Sequence, residues 1–411
     1  MPGIGQRKFR GGRSVRMRTV APSAMTLGFH VHNPANIPAA VLAGYGAIRL
    51  WDSSIDWASI NPQQGVWDFS KVDTYLANAE AAGLRVMLTL GLTPRWASAR
   101  PDEPAVYGLG SAAEPADIQN WDTYVRAVAT RYRGRIGGYE IWNEVNFPTD
   151  PALPPGEGGE TGLFFSGTAQ AMVNLAQVAH TAIKEIDPDA VVLAPSFHPA
   201  SGNWGAKFNL YLSLGGGQYA DAISQHFYFA DEPEQTAPTI VAIRNFMTNN
   251  GVGHLPIWDT EVGVGFGGKL SQWPSLTPEQ LVYALTLRTY LVNAANGVKR
   301  VNWYAWDNNG FGFGASGLDK EKAIAAASAA IRFFNGMWFV TAKSTGNLWE
   351  CSIGTQGTRY KVVWLSGVNP TPQAYTVQRP ATRWGVPVES FAAGTQIMLD
   401  GRPVIIDDAK F

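Results

Sequence analysis

The chain has 411 residues, 45 % of them hydrophobic, and a formal charge of −1 at pH 7. That is material for a large core plus a second small domain, and a charge balance that gives no electrostatic basis for binding nucleic acid or an anionic membrane. Its one cysteine, Cys351, excludes an intrachain disulfide and a cysteine-rich metal site.

Residues 1–25 carry six Lys/Arg but no apolar run of the kind a secretory signal needs, and they read as a disordered basic tail. No segment has the apolar length to span a bilayer. From 26 to 337, short aliphatic and β-branched runs alternate with amphipathic stretches of helical length. Strands are expected near 26–31, 46–51, 84–90 and 136–142, then near 190–195, 220–226, 255–260 and 299–306. Helical patterns lie between them, for example over 117–133, 168–186 and 321–336. Thr277, Pro278 and Gln280 spell a capping box with proline at the first helical position. Gly83 and Gly297 stand where helices should end before the next strand.

Eight strands each followed by a helix predict a closed (β/α)8 TIM barrel, a fold whose active sites lie at the C-terminal ends of the strands. The longer loops, 52–70, 91–116, 143–167 and 307–320, also follow strands, which puts them on one rim. The Gly/Pro-rich loop 148–162 is assigned no role. After residue 338 the texture changes to short alternating segments with turn residues between them, as expected of a small β-rich accessory domain, a sandwich, over 338–411.

The strand ends carry the chemistry. The first offers His30 and His32, the second Arg49, Trp51 and Asp52, the fourth Asn143 and Glu144. The sixth offers His226 and Tyr228, the seventh Glu261, the eighth Trp306 and Asp307. Carboxylates on the fourth and seventh strands face each other across the mouth of a barrel. Asp259, in the same segment as Glu261, is expected from the alternation of a strand to point away from that mouth. Two carboxyl groups in different protonation states are what glycoside cleavage requires: one gives a proton to the leaving oxygen, the other attacks or activates water. Arg49 and the Tyr228 hydroxyl are the expected neighbours of Glu261, and the Asn143 amide suits a sugar hydroxyl.

"WNE" closing the fourth strand, "HFY" the sixth, "TE" the seventh and a tryptophan the eighth together resemble the clan of retaining glycosidases built on (β/α)8 barrels. The chain looks most like glycoside hydrolase family 39, which adds a small β-sandwich and includes β-xylosidases, α-L-iduronidases and exopolysaccharide hydrolases. That resemblance implies Glu144 as general acid/base and Glu261 as nucleophile of a double displacement, without metal or organic cofactor. Asn143 would bind the 2-hydroxyl, and Tyr228 would orient Glu261. Arg49, His226 and Trp306 would line the reacting subsite, Trp306 as stacking platform. Trp51 and His30 complete the candidate binding set, ahead of Trp57 and Trp96. The implied partner is a carbohydrate, a β-linked oligo- or polysaccharide of bacterial type; oligomeric state is left open.

Two rival readings accompany this one. His30, His32, His198, His226 and Asp307 imitate the layout of metal-dependent amidohydrolases. That reading leaves "WNE" and "TE" unused, and the fourth strand supplies no bridging lysine. The other rival is a non-catalytic barrel that binds carbohydrate.

Overall fold

Eight parallel strands pair in the order β5-β4-β3-β2-β1-β8-β7-β6. They are β1 (Thr26–His30), β2 (Ala47–Leu50), β3 (Arg85–Leu90), β4 (Gly138–Ile141), β5 (Val191–Leu193), β6 (Ile223–Gln225), β7 (Ile257–Val262) and β8 (Arg300–Trp303). Isolated parallel bridges Leu193↔Ala222 and Phe197↔Gln225 join the two ends, so the sheet closes into the expected barrel. The computed structural model describes residues 24–148, 150–153, 164–199, 202–308, 310, 312, 313, 317–355 and 357–408. Most of the basic segment 1–25 and of the loop 148–162 lies outside them. Among the described residues no helix is long and apolar enough to cross a membrane.

The strands are buried on both faces, which is why they read as short continuous apolar runs rather than alternating ones. Their helices start where the sequence places caps. Asp117 accepts from the Gln119 amide ahead of Ile118–Arg131, and Thr168 from Ala171 ahead of Ala169–Ile186. The capping box of Thr277 and Gln280 is formed at the start of Pro278–Ala295. Gly83 and Gly297 adopt φ of 68° and 74°, the left-handed turn that closes a helix before the next strand. The helix Pro278–Ala295 is buried on every side from Leu281 to Ala295. Even its Arg288 is inside, paired with Glu232 and Glu234.

The chain divides between Gly336 and Met337 into two compact units. The second contains an antiparallel six-stranded sheet, β14-β13-β16-β11-β10-β9, and a two-stranded one, β12-β15. Their ranges are β9 Trp338–Thr345, β10 Leu348–Thr355, β11 Thr358–Leu365, β12 Gln373–Thr376, β13 Ala381–Arg383, β14 Glu389–Phe391, β15 Gln396–Leu399 and β16 Val404–Asp408. Val363 and Leu365 of the large sheet share one apolar core with Ile397 and Leu399 of the small one. Two sheets over a common core are the expected sandwich.

Gly28 in β1 has no room for a side chain. A Cβ there would meet the Asn302 Oδ1 at 2.0 Å and the Ala47 carbonyl oxygen at 3.2 Å. That Asn302 oxygen accepts from the Arg300 Nε at 3.0 Å, so it cannot simply turn aside. Gly28→Ala is expected to cost about 1–3 kcal/mol in urea unfolding, as overpacking does. Gly46→Ala, where nothing lies within 4 Å of the added carbon, is the matched control and should be close to neutral.

Candidate active site

The site is built on Arg49, which projects from β2 and is wholly buried. Its Nη1 donates to Glu261 Oε2 at 2.6 Å, and its Nη2 to Asn143 Oδ1 at 2.6 Å. Nε and Nη2 both donate to Glu140 Oε2, at 3.0 and 2.6 Å. Glu140 lies within β4 and is itself wholly buried; Thr89 and Ser224 hydroxyls donate to it at 2.7 and 2.5 Å. Burial pushes the Glu140 pKa up, but the Arg49 charge and these hydroxyls outweigh it, and the net shift is below the ordinary glutamate value.

Glu261 occupies the end of β7. Its Oε1 accepts from the Tyr228 hydroxyl at 2.8 Å. Burial raises its pKa above the ordinary value, while Arg49 and the Tyr228 hydrogen bond favour the charged form. The guanidinium at 2.6 Å works against that push and favours the ionised carboxyl.

Glu144 follows β4 after a sharp turn. Trp142 and Glu144 take φ of 71° and 42°, a region costly for residues with a side chain. Burial of the Trp142 ring, its Nε1 bond to the Phe164 carbonyl at 2.6 Å and the Glu144 amide bond to Ser196 Oγ at 3.0 Å hold the turn. The Glu144 Oε1 lies 2.8 Å from His226 Nδ1. Burial, with help from the Arg49 charge, lowers the His226 pKa to about 4, so this imidazole is neutral at neutral pH. One carboxylate oxygen of Glu144, one of Glu261 and a ring nitrogen of His226 all lie within 4.8 Å of one another.

These groups open into a cavity of about 640 Å³ lined by Asn143, Glu144, Tyr228 and Glu261 and walled by Trp51, Tyr107, Phe164, Phe229 and Tyr304. Because the Asn143 carbonyl is turned to Arg49, its NH2 is the end left for a ligand. On the wall, Asp52 accepts from the Tyr304 hydroxyl at 3.0 Å and from that of Tyr107. His32 Nε2 lies 3.5 Å from Asp52, and its Nδ1 3.1 Å from Asp307. Hydrogen bonds to Asp307 and then Asp52 raise the His32 pKa to about 9.

Of the residues chosen from sequence, Arg49, Asn143, Glu144, His226, Tyr228 and Glu261 converge as expected, and Trp51 is in the cavity wall. Trp306 is not a platform. It is buried edge-on to Tyr45 and Phe313, because β8 ends at Trp303 and the ring that reaches the cavity is Tyr304. His30 is also no part of the lining. It is buried against Tyr304, their ring centroids 4.9 Å apart, and among the described residues neither of its ring nitrogens has a hydrogen-bond partner. Trp57 is a core ring stacked on Tyr124, and Trp96 donates to the Asn61 carbonyl. Asp259 does turn from the mouth, its carboxylate accepting from the Phe227 amide. Strict alternation would have put positions 259 and 261 on one face; the register irregularity between Asp259 and Val262 separates them.

Among the described residues the amidohydrolase layout does not form one cluster of ligand spacing, although the His30 and His32 rings lie 5.1 Å apart. His32 is held by Asp52 and Asp307, His226 by Glu144, and His198 lies edge-on to Tyr228. The trio Glu144, His226 and Glu261 has ligand spacing, but an ion among them would share Glu261 with the Arg49 guanidinium. Sequence reasoning passed over Glu140 and Tyr304. The carboxylate in the middle of "GYEIW" was the visible signal for the first.

No family model matches the sequence. Solved structures do match it. One is a family 39 glycoside hydrolase from Bacteroides cellulosilyticus WH2, with TM-score 0.69 and 17 % identity over 94 % of this chain and 81 % of that one. Another is a family 39 β-xylosidase from Caulobacter crescentus, at 0.62 and 16 % over 95 % and 97 %. A third is a family 30 endoxylanase from Clostridium papyrosolvens C71, at 0.58 and 15 % over 96 % and 98 %. The chain has their fold.

Two consequences can be measured. Glu140→Gln removes one of the two carboxylates that share Arg49 in a dry interior; with Glu261 still on the guanidinium, the expected cost in denaturant unfolding is about 1–3 kcal/mol, below that of a fully broken buried pair. His32 binds its proton more tightly folded, at about 9, than its ordinary 6.5, so its contribution is full below 6.5 and is lost as pH rises to about 9. Thermal midpoints should therefore fall across that window, and His32→Gln should flatten the fall.

Proposed function

We propose that the protein is a retaining glycoside hydrolase acting on a β-linked oligo- or polysaccharide. The observation that carries this is the approach of Glu144 and Glu261 oxygens to within 4.8 Å at the cavity floor. Carboxyl groups about 5–5.5 Å apart suit direct attack, whereas inversion needs ~6.5–9.5 Å to admit a water. The different surroundings of the two support different roles. Glu261 is ion-paired and bonded by a hydroxyl, as a nucleophile should be; Glu144 faces a neutral imidazole.

In the first step a Glu261 oxygen bonds the anomeric carbon as the bond to the leaving oxygen breaks, and Glu144 passes its proton to that oxygen. In the second, Glu144 takes a proton from water, the water oxygen bonds the anomeric carbon, and the bond to Glu261 breaks. Tyr228 and Arg49 hold the attacking carboxylate in place, while Asn143 offers its NH2 to the hydroxyl beside the reacting carbon. Trp51, Tyr107 and Phe164 supply aromatic surface for the apolar faces of sugar rings. Every side chain named here lies in the barrel, so on this reading 26–337 is the catalytic domain and 338–411 an accessory one. Likeness to a β-xylosidase and an endoxylanase makes xylosides the first substrates to try, with aryl glucosides, galactosides and bacterial polysaccharides beside them.

Glu261→Ala should abolish turnover. Glu144→Ala should lose roughly 10²–10⁴-fold on substrates with poor leaving groups. Dinitrophenyl glycosides, which need little protonation, should suffer far less, and azide should restore part of the rate. Equal losses on both kinds of substrate, or a first-formed product of inverted configuration, would refute the assignment.

A further inference from the structure

The cavity wall carries one feature that cleavage of a neutral sugar does not use. Lys269, at the end of the short helix Phe266–Lys269 after β7, lines the cavity although only 6 % of its surface is exposed. It is the Lys/Arg side chain among the described lining residues, in a wall that otherwise offers Asp52, Glu144 and Glu261. Its Nζ donates to the Ala230 carbonyl and lies 5.6 Å from the centre of the Phe229 ring. Among the described residues it has no carboxylate within ion-pair distance. An ammonium has three N–H donors, and the Ala230 oxygen accepts one of them. Sequestering a cation while leaving donors unmet is costly, and tying a loop to one carbonyl does not require a charge.

We propose that Lys269 is an anion-recognition group, and that the substrate carries an oxyanion, a uronate carboxylate or a sulfate ester, on a sugar unit seated beside the reacting one. The displacement from the reacting sugar follows from the contacts. Lys269 is tied to the Ala230 carbonyl and lies against the Phe229 ring, whereas Glu261 is tied to Arg49 and to the Tyr228 hydroxyl. The ammonium thus stands apart from the carboxylate pair in the same cavity, and Gln272 beside it adds an amide to the same stretch of wall. Elsewhere on the lining an anion would meet Asp52, Glu144 or Glu261, and the cations beside Asp52 and Glu261, His32 and Arg49, are already engaged by those carboxylates. The inference depends on the proposed glycosidase activity for the ligand's being a sugar, but not for the anion site itself.

The test has a kinetic and a binding arm. In the first, wild type and Lys269→Met are compared on xylotetraose, on the same backbone bearing a glucuronate branch, and on a sulfated oligosaccharide. The acidic substrate should be preferred by roughly ten-fold to a hundred-fold in kcat/KM, the worth of one or two hydrogen bonds to a charged group. Lys269→Met should erase the preference, chiefly through KM, and Lys269→Arg should keep part of it. Which acidic substrate responds separates carboxylate from sulfate. In the second arm, binding of D-glucuronate, sulfate ion and D-xylose is followed by ligand-observed NMR on the same three proteins. Acid binding that weakens in Lys269→Met while xylose binding does not supports the site whether or not any glycoside is turned over. Acid binding indifferent to Lys269→Met, or an equal loss on neutral and acidic ligands, overturns it. Lysine-dependent acid binding without turnover of any glycoside would instead count against the catalytic assignment.

Discussion

Arg49 is the interaction on which the rest of the mouth depends. A guanidinium is permanently charged and planar, with five donors in a fixed fork, so it can tie several oxygens together without becoming neutral when water is excluded. Here the fork draws Glu140 from inside β4, Asn143 from just beyond it and Glu261 from β7 onto one cation. The division of charge matters as much as the geometry. With Glu140 alone Arg49 would be fully matched; with Glu261 alone the whole of its charge would fall on that carboxylate. Sharing one cation between two carboxylates leaves Glu261 incompletely compensated, in line with the upward push that burial gives its pKa.

The second carboxylate is placed by backbone rather than by charge. Two departures into left-handed φ, at Trp142 and Glu144 on either side of Asn143, swing the Glu144 side chain off the line of β4 and towards His226. Such a turn survives only where its surroundings over-determine it, and here a buried indole and a serine hydroxyl do so. One strand end therefore delivers Asn143 to the cation and Glu144 to a neutral ring. Neighbouring residues acquire unlike environments from a single distortion.

Much of this was legible in the sequence because it rests on short-range pattern. The strands are short apolar runs, the helices carry their own caps, and polar residues directly after a strand lie on the rim. Where reading failed, the cause was a boundary or a direction. β8 stops at Trp303, so the cavity ring is Tyr304 and Trp306 turns into the core. His30 ends β1, but its ring is buried against Tyr304 and His32 instead of lining the cavity. Glu140 was hidden by its place inside a run that otherwise reads as buried and apolar, and a partner 91 positions away is not visible from local pattern. Asp259 points away as expected, yet through an irregularity of β7 that no alternation rule contains.

The opposite wall uses a different device for the same end. Asp52 and Asp307 flank His32, whose proton they hold, so a titratable cation does there what Arg49 does beneath Glu261. The tyrosine hydroxyls of Tyr107 and Tyr304 are thereby fixed as donors to Asp52, and their rings keep a set orientation towards the cavity. Charge in this mouth is thus committed on both sides before any ligand arrives: to Arg49 on the floor and to His32 in the wall. Lys269 differs from both, since among the described residues its hydrogen bond is to a neutral carbonyl. In a cavity whose other cations are already matched by carboxylates, that difference decides which lining group has binding capacity left for a ligand's own charge.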